Sequence, residues 1–404
     1  MEITPLETEQ IGIKTLEKHL IKSTGHESLK IGLPKETSND EQRISLTPGG
    51  VSILRANGHE VIIEQGAGEG ASFSDREYAE SGAEIVFSPD EVYKKAEIIS
   101  KIAPLNNEEV GFIQPNQVLL SALHLGGITE NYIKTLMDAN VTAIGYEFIK
   151  GIDREFPIVR MMHEITGSLS VQIAAHYLES RSGGQGVMLG GISGVPPATV
   201  VILGAGITGE YAARTALGYG AQVFVMDTDL TKLRRLENAL DRRIITAMAN
   251  EQYLSTALKF ADVIIGAAMA EADRSPCWVT EEMVADMKTG SVIVDTVIDQ
   301  GGCIATSKPT THSNPIFRKF DVTHYCVPNI PANVARTATY ALNNVIVPYL
   351  IAIGDAGGIT DCLWTNQALR NGAYIYKKHV TKKAIAEPFG LPCRDIDILM
   401  ASKI

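Results

Sequence analysis

The sequence predicts an α/β protein made of two Rossmann-like domains, each a doubly wound parallel sheet, with a cleft between them. Three observations predict it. Short β-rich runs alternate with helical stretches, at the spacing of parallel strands joined by helical crossovers. The alternation runs twice, halting near residues 155–165 and resuming after the glycine-rich stretch 182–194. The chain has 404 residues, and at roughly 150–200 residues per domain that length holds two. With 45% hydrophobic and 21% charged residues, each half can bury a core without disulfides or metals.

Taken in order, Lys30–Leu33 reads as the first strand. Thr47 and Pro48 start a helix, a hydroxyl cap followed by a proline whose missing N–H does no harm there, and Gly58 stops it near Asn57. Strands follow at His59–Glu64, Ala83–Phe87, Glu97–Ile102, Val118–Leu123 and Val141–Glu147, with helices near Asp75–Gly82, Pro89–Lys95 and Thr129–Ala139. His163–Ser180 has helical length and an apolar stripe at Ile165, Leu169, Ile173, Ala174 and Tyr177. A second series places strands at Thr199–Leu203, Gln222–Met226, Val263–Gly266 and Ser291–Asp295. Beyond Ala335 the text becomes helical, at Thr337–Ile353 and Asn366–Ala386. The expected organisation is a first domain over 1–159 with an N-terminal arm at 1–28, a second over 160–335, and a helical return to the first over 336–404.

Charge and cysteine usage exclude several classes. Lys and Arg number 36 against 47 Asp and Glu, a net charge of −11, which disfavours nucleic acid or an anionic membrane as partner. Cys277, Cys303, Cys326, Cys362 and Cys393 are scattered without a CxxC pair, so no disulfide framework or metal site is expected. The arm lacks the apolar core of a signal peptide, and no uninterrupted apolar run reaches the ~18 residues of a membrane span. A cytoplasmic location is the expectation.

The strongest local signal is TVVILGAGITGEYAARTALGYGAQVFVMD, residues 199–227. A strand runs into Gly204, Gly206, Ile207 and Gly209, a small-residue helix follows, and a second strand ends at Asp227. Gly204 permits the tight turn, Gly206 lets a pyrophosphate approach the backbone, and Gly209 lets the helix pack against the strand. The phosphates would sit at the helix N-terminus, and Asp227 would accept from a ribose hydroxyl. Thr228 and Asp229 follow, with no arginine for a 2′-phosphate, so NAD is expected rather than NADP. Further on, Val294–Gly302 (VDTVIDQGG) forms a polar turn beyond the last strand. It either faces the nicotinamide or simply caps the next turn.

With these pieces assembled, the chain resembles the alanine dehydrogenases and the NAD-binding subunit of proton-translocating transhydrogenase. The resemblance runs from about Lys30 to about Ala386. Its carriers are IGLPKETSNDEQRISLTPGGV, GHEVIIEQGAGEGASF, the LHL at 123–125, the GAGITG loop, GSVIVDTVIDQGG and HYCVPNIPANVARTATYALNN. It implies reversible, NAD-linked oxidative deamination of a small L-amino acid, most simply alanine, to a 2-oxo acid and ammonia. It also implies a homo-oligomer, commonly a hexamer. By resemblance Arg43 holds the substrate carboxylate, a fit for the guanidinium fork. His124 matches the acid/base, Asp299 the aspartate beside nicotinamide and substrate, Lys232 a residue near the adenosine ribose, and Asn329 and Ile330 the turn against the nicotinamide.

This chain also departs from the pattern. The family's substrate lysine stands in a stretch like KVKEP, where Ser100–Pro104 reads SKIAP, one residue shorter. Lys101 aligns with the first lysine. The shortened loop either swings it into the place of the second or leaves Arg43 as the carboxylate's single cation. Ala122 replaces an aromatic, His163 a serine that contacts NAD, Ser168 an arginine, and Glu271–Pro276 a PGAKAP loop. Two other readings therefore stand beside the dehydrogenase: a transhydrogenase-type NAD-binding component, and a catalytically silent NAD-binding protein.

Overall fold

The computed structural model describes residues 27–401 apart from 39, 125–126, 154, 242 and 270–274, so most of the arm lies outside the described residues. The chain divides into two compact units. One takes in the residues up to Val159 together with those from Val334 onward, and the other is Arg160–Asn333.

The first unit opens with β1 (Lys30–Leu33), α1 (Pro48–Ala56), β2 (Glu60–Glu64), α2 (Asp75–Glu80) and β3 (Glu84–Val86). It continues with α3 (Pro89–Lys95), β4 (Ile98–Ser100), β5 (Val118–Ser121), α4 (Glu130–Asp138) and β6 (Thr142–Gly145). These strands are short, and β4, β5 and β6 are buried along their whole length, because helices cover both faces of a parallel sheet. The cap read from sequence is present, the Thr47 hydroxyl accepting from Gly50 N–H, and α4 has a cap of the same kind, the Thr129 hydroxyl accepting from Tyr132 N–H.

α5 (Pro157–Leu178) leads into the second unit. It starts six residues earlier than the apolar stripe suggested, at Pro157, a residue suited to a first helical position. Then come β7 (Thr199–Leu203), α6 (Ile207–Gly218), β8 (Gln222–Asp227), α7 (Leu230–Ala239) and β9 (Ile245–Met248). The unit finishes with α8 (Glu251–Phe260), β10 (Val263–Gly266), α9 (Glu281–Ala285), β11 (Val292–Asp295), β12 (Ile316–Lys319) and β13 (Val322–Tyr325).

The C-terminal segment returns to the first unit. α10 (Ala335–Asp355) is apolar enough by composition to cross a membrane, but it buries Ala338, Leu342, Ile346 and Leu350 within the protein. α11 (Ile359–Thr365) and α12 (Gln367–Gly372) follow. The helical reading of Asn366–Ala386 is corrected here, because β14 (Ala373–Tyr376) and β15 (His379–Val380) occupy its middle. Four buried residues including two tyrosines suit a strand, and Lys377 and Lys378, at φ +46° and +63°, form the two-residue turn of an antiparallel hairpin. α13 (Lys383–Ala386) and α14 (Ile396–Ala401) close the described chain.

The first sheet has the order β15-β14-β6-β5-β4-β1-β2-β3, with β1 to β6 parallel and β14 antiparallel to β6. The second has the order β12-β13-β11-β10-β7-β8-β9, parallel except for β12 at its edge. In each, the chain winds outward through three strands and then returns to the far side of the first. The order reverses between β1 and β4 in one sheet and between β7 and β10 in the other. Loops beyond the carboxyl ends of such a pair diverge and leave a crevice.

Candidate active site

In the second unit, the crevice beyond β7, β8 and β10 is a cavity of about 440 Å³. Gly204, Gly206, Asp227, Thr228, Asp229, Lys232, Ala267, Ala268 and Trp278 are among its walls. Three of the residues read from the fingerprint, Gly204, Gly206 and Asp227, thus meet in one place, together with Lys232. Gly204 takes φ +109°, a conformation open to glycine. A Cβ on Gly209 would lie 1.9 Å from the Gly204 carbonyl oxygen, so α6 can start this close to β7 only without a side chain there. Ile207 opens α6 behind its cap residue Gly206 and puts the unpaired first-turn N–H groups at the cavity edge.

Asp227 is buried and holds the loop together. One of its oxygens accepts from Ala205 N–H at 2.7 Å and the other from Asp229 N–H at 2.9 Å. Asp229 in turn caps α7 through Thr231 N–H, a hydrogen bond that lowers its own carboxyl below the usual range. Glycine backbone, a helix N-terminus and a carboxylate at the end of the second strand are the donor and acceptor set of a dinucleotide site. The residues present fit that group.

Asp299 is exposed on a single turn directly after β11, Ile298–Gln300, whose first residue Ile298 is buried. Its neighbour Asp295, which sequence reasoning left as part of the turn, organises it. The Asp295 carboxylate is fully buried and accepts from Cys303 N–H at 3.2 Å and Val297 N–H at 3.3 Å, while burial raises its pKa. Asn329 adopts φ +58° just ahead of buried Ile330 in the turn after β13.

In the first unit, Arg43, Lys101 and His124 follow β1, β4 and β5, three neighbouring parallel strands, so the fold brings them to one edge of one sheet. Arg43 is buried, and Glu41 grips it through two parallel bonds, Nε to Oε1 at 2.8 Å and Nη2 to Oε2 at 2.6 Å. The loop carrying it is pinned to α10 where Ile44 N–H donates to the Thr339 hydroxyl and Thr47 N–H to Asn343 Oδ1. His124 is exposed at φ +50°, an uncommon conformation for a side-chain-bearing residue and one found at functional sites. Its turn is held by Glu147, beyond β6, whose Oε1 accepts from both Leu123 and His124 N–H. The Glu147 Oε2 atom is buried without a hydrogen-bond partner among the described residues. Sequence reasoning missed Glu147, since 23 residues separate it from His124.

Lys101, unlike His124, is not exposed. Its side chain is fully buried, and its ammonium lies 2.6 Å from Glu109 and 3.1 Å from Glu36. Burial works against its charge, but the two carboxylates outweigh it and raise its pKa. Glu36 is the second carboxylate on one cation, and burial pushes it up to about 6.

A family model described as alanine dehydrogenase/PNT, N-terminal domain, matches residues 32–166, and its C-terminal counterpart matches residues 170–383. The chain belongs to the alanine dehydrogenase/PNT family. Among relatives of this family, the alanine dehydrogenase of Methanococcus maripaludis is 42% identical, over 90% of this chain and 97% of its own. That of Mycobacterium tuberculosis strain H37Rv is 39% identical, over 90% and 98%. A solved L-alanine dehydrogenase superposes with a TM-score of 0.85 at 39% identity, covering 90% of this chain and 99% of that one. A transhydrogenase from Sinorhizobium meliloti shares the fold, with a TM-score of 0.74 at 22% identity over 88% of this chain. The resemblance and the fold class read from sequence are thus borne out, and the alanine dehydrogenase/PNT family is one of pyridine-nucleotide oxidoreductases.

Proposed function

We propose that the protein is an NAD-dependent dehydrogenase that oxidatively deaminates a small L-amino acid, most simply L-alanine, to the 2-oxo acid and ammonium. The single observation that carries the reading is the placement of Arg43 and His124 beyond β1 and β5, the strands on either side of β4 in one sheet, in a chain about 40% identical to alanine dehydrogenases. The transhydrogenase reading shares the family models, but the transhydrogenase from Sinorhizobium meliloti is only 22% identical.

In this reading Arg43 receives the substrate carboxylate. Glu41 sets the orientation of the guanidinium plane by holding its Nε–Nη2 side. His124 takes a proton from the water that attacks the α-carbon and returns one to the departing amine. Asp299, exposed on its turn, orients water or ammonia. NAD, when bound, supplies the hydride acceptor. Gly204, Gly206, Ile207 and Gly209 would hold its pyrophosphate, Asp227 and Lys232 its adenosine ribose, and Asn329 and Ile330 would lie toward its nicotinamide. Asp227 favours NAD over NADP, because a 2′-phosphate there would meet a buried carboxylate.

The test is the purified protein with NAD or NADP and a panel of L-amino acids, followed at the absorbance of the reduced cofactor. Turnover of L-alanine with NAD is the expected result. Binding of NAD with no turnover of any amino acid would overturn the reading in favour of a nucleotide-binding component.

A further inference from the structure

We propose that Lys101 is a positioning residue, tying the Arg43 loop to the end of β4 through Glu36, and that it does not contact the substrate. The inference rests on reading Arg43 as the carboxylate-binding residue. Three bonds cross from the Arg43 loop to the segment after β4. The Lys101 ammonium pairs with Glu36 Oε2 at 3.1 Å, Ile102 N–H donates to Glu36 Oε1 at 2.7 Å, and Asn106 Nδ2 donates to the Thr37 hydroxyl at 3.0 Å. Beyond Arg43, the Ser45 hydroxyl donates to the Ser100 carbonyl at 3.2 Å. The loop is therefore fastened to the same strand end on both sides of Arg43.

Lys101 is the centre of the first fastening. It bridges Glu36 to Glu109, and Glu109 Oε2 accepts from Asn106 N–H at 2.8 Å, so its charge locks both segments. Its side chain is 0% exposed, and those of Glu36 and Glu109 are 7% and 4% exposed. A lysine that left this site for a substrate would strand two buried carboxylates without a cation. A substrate entering the site would bring a third carboxylate to one ammonium. Either way the charges oppose direct contact, and the geometry assigns Lys101 to the frame around Arg43.

The experiment measures kcat and amino-acid KM at saturating NAD, with NADH binding by fluorescence and the fold by circular dichroism. The variants are Lys101→Met, Glu36→Ala, the two together, and Arg43→Lys as control. Misplacing the guanidinium is expected to raise amino-acid KM on the order of 10- to 100-fold in each single variant. NADH affinity should stay unchanged and kcat should fall far less than KM rises. The double variant should be no worse than the more severe single one, because both cut the same tie. If Lys101→Met leaves the chain unfolded, Lys101→Met/Glu36→Gln/Glu109→Gln, which buries no charge, carries the test with the same expected rise.

A raised KM in Lys101→Met with wild-type KM in Glu36→Ala would overturn the proposal in favour of direct substrate contact. Wild-type KM in folded variants of both residues would overturn it in favour of a purely structural pair. If Arg43→Lys alone keeps wild-type KM, the fault lies with the assignment of Arg43 and not with the tie.

Discussion

The two sheets share a scaffold and differ in what stands at its reversal point. β3-β2-β1-β4-β5-β6 in one unit and β9-β8-β7-β10-β11-β13 in the other are the same winding. At the second, recognition is built from main chain: two glycines, a helix start and one braced carboxylate, Asp227. At the first stands a charged side chain held by another, Arg43 by Glu41, on a loop that the buried pair of Lys101 and Glu36 ties to the end of β4. In the proposed reading, one winding would serve a phosphate-bearing ligand with N–H groups and a carboxylate-bearing one with a guanidinium. Chemistry resides in the loops and the sheet supplies the crevice.

If the two regions divide the work in this way, variants should separate cleanly by unit. The largest effect is expected from His124→Ala, a loss on the order of 10²- to 10⁴-fold in kcat with NADH binding intact, read by initial rates and fluorescence titration. Full activity in that variant would remove His124 from the mechanism. Arg43→Lys keeps the charge but not the fork, and should raise amino-acid KM roughly 10- to 100-fold while leaving NADH affinity alone. Gly209→Ala is its mirror image. A Cβ forced to within 1.9 Å of the Gly204 carbonyl should weaken NADH binding about tenfold. Crossed results, with Gly209→Ala changing only amino-acid KM, would break the comparison.

The smallest effect concerns pH and lies within the first unit. Glu36 has its pKa raised from 4.5 to about 6 by burial, so ionising it works against the folded state. Its contribution to stability is present in full below pH ~4.5, falls as pH rises through about 6, and stays low above that. The shift corresponds to at most about 2 kcal/mol. Glu36→Gln should therefore gain in Tm relative to wild type between pH 4 and pH 7.5. A Tm difference that does not change with pH would show that Glu36 ionises in the folded protein as it does unfolded.

The difference between the units also explains what could be read in the sequence. TVVILGAGITG and the acid that ends the next strand are close in the chain, and each residue acts through local backbone geometry. The site they build was therefore visible as a motif. Thr47 and Pro48 were legible for the same reason. Lys101 was not, because its environment is made by Glu36, 65 residues away on another strand's loop, and no local pattern announces that pairing. Glu147 was hidden likewise, being set against His124 only by the pairing of β5 with β6. β14 escaped because its turn is two lysines in the left-handed region, where asparagine and glycine are the usual signals.

That late strand sets a timetable for synthesis. β6 can pair on its outer side only with β14, whose residues Ala373–Tyr376 leave the ribosome after the whole of Arg160–Asn333. At ~5–20 residues per second the interval from Gly145 to Tyr376 is on the order of 10 to 50 seconds. The inserted unit can complete its core as one uninterrupted stretch during that time. Its host meanwhile presents the unpaired edge of Thr142–Gly145, a strand buried along its whole length in the finished fold, and such an edge can recruit other chains. Misassembly of this protein is therefore expected to begin at that edge, in the unit that starts first and finishes last.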